Sequence, residues 1–192
     1  QANVTGTLNL VESLKGKSLK KLVYAASSSC YGIPKNYPTT ESEAVDPRYP
    51  YALTKFLGEQ ICLHWSRVYA IPVVSLRLFN VYGTRSRTSG TYGAMFGVFL
   101  AQKLRGLPLT VVGDGSQTRD FIYVSDVVTA FIAAARSPVL GEIVNIGSGK
   151  THSVNRVVQL LKGDPMFIPK RPGEPEITHA DISKARQMLN WH

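Results

Sequence analysis

Residues 21–55 read KLVYAASSSCYGIPKNYPTTESEAVDPRYPYALTK. The stretch opens on an apolar run, Leu22 to Ala26, and breaks into Ser27-Ser28-Ser29-Cys30-Tyr31-Gly32. A short apolar run bounded by Ser and Gly predicts a buried strand. Open α/β sheets collect their ligands at the C-terminal strand ends, where these hydroxyls emerge. Pro34, Pro38, Pro47 and Pro50 exclude helix from the loop that follows. Tyr51 then starts a helical pattern, with Leu53, Leu57, Ile61 and Trp65 at helical spacing as far as about Tyr69. Tyr51 and Lys55 are four apart and so share one helix face. A hydroxyl cluster facing a Tyr/Lys pair is a proton-transfer site in outline.

Working outward, Val4, Leu8, Val11 and Leu14 fall on one face of a first helix. The chain begins without Met, already inside that core helix, which predicts further chain upstream. Downstream, Val73–Phe79 reads as a second buried strand, Met95–Leu104 as an apolar-faced helix and Leu109–Val112 as a short strand. Ser125 is the expected N-cap of a helix to about Ala135. Glu142–Ile146 reads as a strand, Val154–Leu161 as a helix, and the Pro-rich end closes with a short helix from Asp181 to about Leu189. Strands alternating with helices imply an α/β fold with a mostly parallel sheet.

At 192 residues the chain can bury one good core and a small second lobe. Its formal charge of +9 is scattered, without a dense basic patch interleaved with aromatics, so nucleic acid is not the expected partner. The reading favours a site for a phosphorylated small molecule. No run is long enough to span a bilayer, and no signal-peptide pattern opens the chain. Cys30 and Cys62 lack CxxC spacing and the four histidines are dispersed, so no metal site is expected. Two free cysteines without a signal point to a reducing cytoplasm.

Tyr-x-x-x-Lys alone is weak: with 9 tyrosines, chance gives about half a match, and there are two, Tyr31/Lys35 and Tyr51/Lys55. Gly32 and Pro34 bar the first from forming one helical face. The second sits in uninterrupted helix. A tyrosine needs a nearby cation to act as a base near neutrality, and Lys55 could supply it while gripping a ribose hydroxyl. The plain alternative is a surface Tyr packed on a Lys stem. Gly147-Ser148-Gly149-Lys150-Thr151 imitates the tail of a phosphate-binding loop, but Val144 stands where that motif needs Gly, so a turn is the better reading.

Taken together, the Ser cluster and Tyr51/Lys55 resemble the short-chain dehydrogenase/reductase superfamily. The chain is similar in particular to the extended, NAD-dependent NDP-sugar epimerase/dehydratase branch. The matching pieces are Asn3 to Thr7, Ser27 to Gly32, Tyr51/Lys55, Arg77-Leu78-Phe79-Asn80-Val81-Tyr82-Gly83, Gly113 to Asp126, Asn145 to Gly149, Arg171 to Pro175 and Ala180-Asp181. The resemblance implies a partial Rossmann-like doubly wound sheet with a small mixed α/β substrate lobe. Residues 1–83 would be the C-terminal half of the cofactor domain and 84–192 mostly the lobe, with about 116–146 returning to the sheet. The family's Gly-rich dinucleotide turn is absent. About three strand–helix units, roughly 80–100 residues, are therefore expected upstream. Without them the chain is not expected to hold NAD tightly, and a binding remnant without redox chemistry is the alternative class.

Residue by residue, the resemblance implies Ser27, Tyr51 and Lys55 as the catalytic set. It places NAD against Ser27, Tyr51, Lys55, Phe79 and Val81, with Asn3 supporting the cofactor end. The UDP-sugar falls to Ser28, Ser29, Asn80, Arg119, Arg171 and Glu174. Arginines suit a diphosphate because the planar fork donates two parallel hydrogen bonds. Arg119 could instead pair with Asp114 or Asp120. Dehydratases of the family carry Asp-Glu where this chain has Ser28-Ser29, and decarboxylases carry Glu at the Ser29 position. Serines suit neither role. What remains is C4 epimerisation of a UDP-sugar, whether glucose, N-acetylglucosamine or glucuronate type. A homodimer through Tyr51–Tyr69 and Met95–Leu104 is the assembly the family implies.

Overall fold

The structure, a computed structural model, describes residues 1–88, 95–170 and 173–192. Its centre is a three-stranded parallel sheet in the order β1 (Leu22–Ser27), β2 (Val73–Leu78), β7 (Glu142–Ile146). The strands are in step: Ser27 pairs with Leu78, and Leu78 with Ile146. All three therefore end at one edge, and the Phe79 amide bonds the Ile146 carbonyl beyond it at 2.9 Å. β2 is the central strand and nearly all buried, as a continuous apolar run in a parallel sheet should be.

Side-chain alternation along β2 assigns each face its helix. Val74 and Leu76 join Val127, Ala130 and Ala134 of α4 (Val124–Arg136), with Ala185 and Leu189 of α6 (Ser183–Leu189). Val73 joins Cys62 and Leu63 of α2 (Pro50–Tyr69) and Val11 of α1 (Thr7–Ser13) on the opposite face. On that face Ser75 and Arg77 meet Glu59 of α2 instead of an apolar partner. Helices on both faces of a parallel sheet make the doubly wound arrangement.

A second core joins α3 (Met95–Leu104), β4 (Leu109–Val112) and α5 (Val154–Leu161) through Phe99, Leu109, Val111, Val154, Val157 and Val158. β4 pairs in parallel with β9 (Pro165–Ile168). Proline at the first position of an edge strand removes no ladder bond, and this strand was not expected from the Pro-rich end. Four short strands were likewise unforeseen. β3 (Asn80–Tyr82) pairs with β6 (Phe121–Tyr123), and β5 (Thr118–Arg119) with β8 (His152–Ser153). Of residues 116–146, β7 lies in the main sheet and α4 packs on it, whereas β5 and β6 pair outside it.

Ser125 does not cap α4. Tyr123 holds the N-cap position without a side-chain bond, and the Ser125 hydroxyl donates to Asp126 Oδ1 at 3.2 Å. β6 runs straight into the helix, so the helix begins one residue before the serine. Ser153, which accepts from the Arg156 amide, is the working cap of α5. The closing helix starts at Ser183, not Asp181, and the Asp181 carboxylate accepts from the Ser183 amide at 2.8 Å.

Candidate active site

The edge where the strands end opens on a cavity of about 750 Å³. Ser27, Ser28 and Ser29 from the end of β1 line it, as do Tyr51 and Lys55 from the first two turns of α2. Phe79, Asn80 and Val81, just beyond β2, form its floor, and Arg119 and Glu174 line its lobe side.

Each polar group is held for a local reason. Ser27 closes β1 in extended backbone and caps the short helical turn Ser28–Tyr31. Its Oγ accepts from the Ser29 amide at 3.3 Å and the Ser29 hydroxyl at 2.9 Å. Having accepted twice, Ser27 keeps its own hydroxyl proton for donation. Pro50 starts α2, so Tyr51 projects from its first turn and is 41% exposed. One turn on, the Lys55 ammonium donates to the Ala25 carbonyl and sits 5.0 Å from the centroid of the Tyr24 ring. Burial pushes the lysine below its ordinary pKa, opposed by the fields of Cys62 and Glu59. α2 can lie this close to β1 because residue 58 is Gly. A Cβ there would stand 2.2 Å from the Tyr24 hydroxyl and 2.6 Å from the Asn3 carbonyl.

Asn80 donates to the Asp120 carbonyl at 3.1 Å and the Thr178 hydroxyl at 2.8 Å, which pins it between sheet and lobe. Arg119 donates to the carbonyls of Thr118 and Glu176. Burial pushes its guanidinium below the ordinary value, opposed first by Glu174 and Glu176 and then by Tyr49 and Tyr37. The two aspartates that could have paired with it are engaged elsewhere. Asp114 accepts from the Ser116 amide and hydroxyl. Asp120, wholly buried, accepts from Ser148 N, Ser148 Oγ, Gly149 N and Ala180 N. The same bonds explain why Gly147–Gly149 is no phosphate cradle: its amides already serve a carboxylate.

One expected residue among those described is not brought to this cavity. Asn3 does not line it; its amide donates to Thr54 Oγ1 at 3.2 Å, a tie between the first helical turn and α2. Arg171 lies outside the described residues, as does part of the loop from Thr84 to Tyr92. Several wall residues were not foreseen, among them Tyr49, Phe96, Phe121 and Thr178. Phe96 stacks on Tyr82 at 4.6 Å and meets Phe121 edge-on at 5.0 Å, a cluster assembled by the β3–β6 pairing. Thr178 lies 98 residues from Asn80, beyond any spacing rule.

Among the described residues, no group of His, Cys, Asp and Glu could hold a metal ion, and no helix is long and apolar enough to cross a membrane.

Comparison with known proteins gives this geometry its relatives. The chain is 39% identical to an uncharacterized UDP-glucose epimerase, YtcB, of Bacillus subtilis, over 98% of this chain and 60% of that protein. It is 36% identical to a UDP-N-acetyl-alpha-D-glucosaminuronate decarboxylase of Bacillus cytotoxicus, over 100% of this chain and 64% of that one. The crystal structure of UDP-glucuronic acid 4-epimerase from Bacillus cereus, in complex with UDP-glucuronic acid and NAD, superposes with a TM-score of 0.92 at 35% identity, covering 99% of this chain and 62% of that one. The chain thus spans less than two thirds of each relative's length. A family model, the NAD dependent epimerase/dehydratase family, matches residues 1–147. The chain belongs to the NAD dependent epimerase/dehydratase family.

Proposed function

We propose that this chain forms the catalytic-tyrosine and sugar-nucleotide part of an NAD-dependent UDP-sugar 4-epimerase. The observation that carries the reading is that one cavity gathers a hydroxyl donor, a Tyr/Lys pair and, across it, Arg119 with Glu174. Lys55, small Ala25 and Ala26, and Ser27 fit the nicotinamide-ribose end of NAD, with one ammonium and open space at the strand ends. When bound, NAD supplies the acceptor and donor of hydride at C4 of the sugar. Tyr51 takes the C4 hydroxyl proton and later returns one to the 4-keto oxygen. Ser27 donates to that oxygen throughout, and the Lys55 ammonium, one helix turn from Tyr51, grips a ribose hydroxyl. Arg119 holds the diphosphate, and Asn80 with Ser28 and Ser29 borders the sugar. Glu174 borders the nucleotide side.

The decarboxylase relative makes that reaction the second reading. Against it stands Ser29, whose hydroxyl is bonded to Ser27 where the decarboxylase pattern has Glu. The test is to incubate the protein expressed from its full reading frame with NAD and, separately, UDP-glucose, UDP-N-acetylglucosamine and UDP-glucuronate, and to read the products by NMR. The expected product is the C4 epimer of one of them. A 4-keto-6-deoxy sugar or release of carbon dioxide, with no epimer, would overturn the proposal.

A further inference from the structure

The face of α2 that carries Tyr51 and Lys55 continues one turn further to Glu59, since residues four apart stack on one helix face. Glu59 is 1% exposed and points at the sheet. Arg77 of β2, 2% exposed, grips it as a fork: Nε donates to Oε2 at 3.0 Å and Nη2 to Oε1 at 2.6 Å. The Ser75 hydroxyl adds a bond to Oε2 at 3.0 Å. The guanidinium lies over the Tyr31 ring at 4.8 Å, and Tyr31 closes the short turn that begins with Ser28 and Ser29. The Tyr31 hydroxyl donates to Asn145 Oδ1 of β7 at 2.7 Å, and the Asn145 amide donates to the Thr39 carbonyl at 2.9 Å. One ion pair thereby links every segment that carries a polar wall group of the cavity's sheet side.

Stability alone does not account for it. A buried ion pair loses two hydration shells, and a well-packed apolar pair of similar volume is often as stable or more so. Here the burial is incomplete in its reward, because Arg77 Nη1 is a buried donor without a hydrogen-bond partner among the described residues. The adjoining part of the same helix–sheet interface already packs by apolar contacts, through Cys62, Leu63 and Val73. What a fork adds over grease is direction: two parallel bonds hold only at one rotation and one height of α2.

We propose that the Glu59–Arg77 pair is a positioning device that fixes the rotation and height of α2 on the sheet, and so sets the Tyr51/Lys55 face against Ser27 and Asn80. The inference rests on the catalytic roles proposed above, but it is a statement about geometry and has a readout of its own. Neither residue lines the cavity.

The test compares the wild type with Glu59→Leu/Arg77→Met and with Arg77→Lys, each expressed from the full reading frame. Thermal unfolding, amide hydrogen exchange over residues 52–58, and kcat and KM with NAD and UDP-glucose or UDP-glucuronate are measured. The double variant is expected to melt close to the wild type. Its exchange over 52–58 should rise about tenfold, and kcat should fall about tenfold or more with KM within about threefold, as misplacement of reacting groups does. Arg77→Lys, which keeps the charge and loses the fork, should show the same split, and it decides the matter if the double variant does not fold. A folded variant with wild-type exchange and wild-type kcat would overturn the inference. Should the wild type turn over no UDP-sugar, the proposed activity fails, and exchange over 52–58 still decides the role of the pair.

Discussion

Lys55 shows how a single residue is made costly and useful at once. Burial holds its pKa below the ordinary lysine value, so within the window between the two the unfolded chain binds more protons than the folded one. Stability must therefore rise as pH climbs through that window, and at neutral pH the folded state carries a penalty for the buried charge. Lys55→Met is expected to melt higher than the wild type at pH 7, to lose that pH slope, and to be nearly inactive, the usual trade at a functional site. Thermal melts from pH 7 to 10 check it; a lower melting point at pH 7 would contradict the argument. Tyr51 is the complementary case, 41% exposed and therefore dispensable to the fold. Tyr51→Phe should lower kcat by about 10²–10⁴-fold with stability changed by no more than about 0.5 kcal/mol. Progress curves by NMR and a matched melt provide the measurement. These residues were legible in the sequence because the Ser run, the helix phase and the four-residue step are all local. Asn3 has a place that no local pattern shows, because it is set by Gly58 and Thr54, more than fifty positions away.

At the scale of elements, Asp120 joins what periodicity cannot. Four donors from the turn after β7 and from Ala180 converge on its buried carboxylate, tying the main sheet to the C-terminal segment. Asp120→Ala removes the acceptor and leaves those donors unsatisfied, at about 3 kcal/mol or more. The expected result is a clearly lower melting temperature. A variant that melts like the wild type would show that the turn holds itself. The long elements β1, α2, β2, α3, α4, β7 and α5 follow from apolar period and length and were legible within a residue or two. The four-residue β4 was read with its bounds, but β3, β5, β6, β8 and β9 were not, because they exist only through their pairing partners. The cap of α4 was misread for the same reason: Ser125 has the right chemistry, but β6 delivers the chain into the helix one residue earlier.

For the whole molecule, the expected dimer used α2 and α3. α3 is seated on β4 in the lobe, with Phe99 buried in the lobe's core, whereas the helix beside α2 is α1. The Trp65 indole donates to Glu12 at 2.7 Å, and Gly58 admits the Asn3 carbonyl, so α1 and α2 form one layer. Along α2, Leu53, Leu57, His64 and Val68 recur at four- and seven-residue steps on its outward side. The three apolar ones are 46%, 39% and 55% exposed, and Leu10 of α1 adds another half-exposed leucine. An apolar stripe of that length on two packed helices fits a self-complementary interface, in which each residue can meet its own counterpart about a two-fold axis. We infer a homodimer through the α1/α2 layer, leaving the cavity at the strand ends open. Leu57→Glu places a charge at the middle of the stripe in both copies, so its cost is doubled. It is expected to weaken association by about 2 kcal/mol or more, roughly thirtyfold or greater in Kd, while the folded protomer persists. Sedimentation equilibrium on wild type and variant reads this directly. A wild type that is dimeric and a Leu57→Glu variant equally dimeric would place the interface elsewhere, and Leu104→Glu on α3 would then be the variant that separates the two copies.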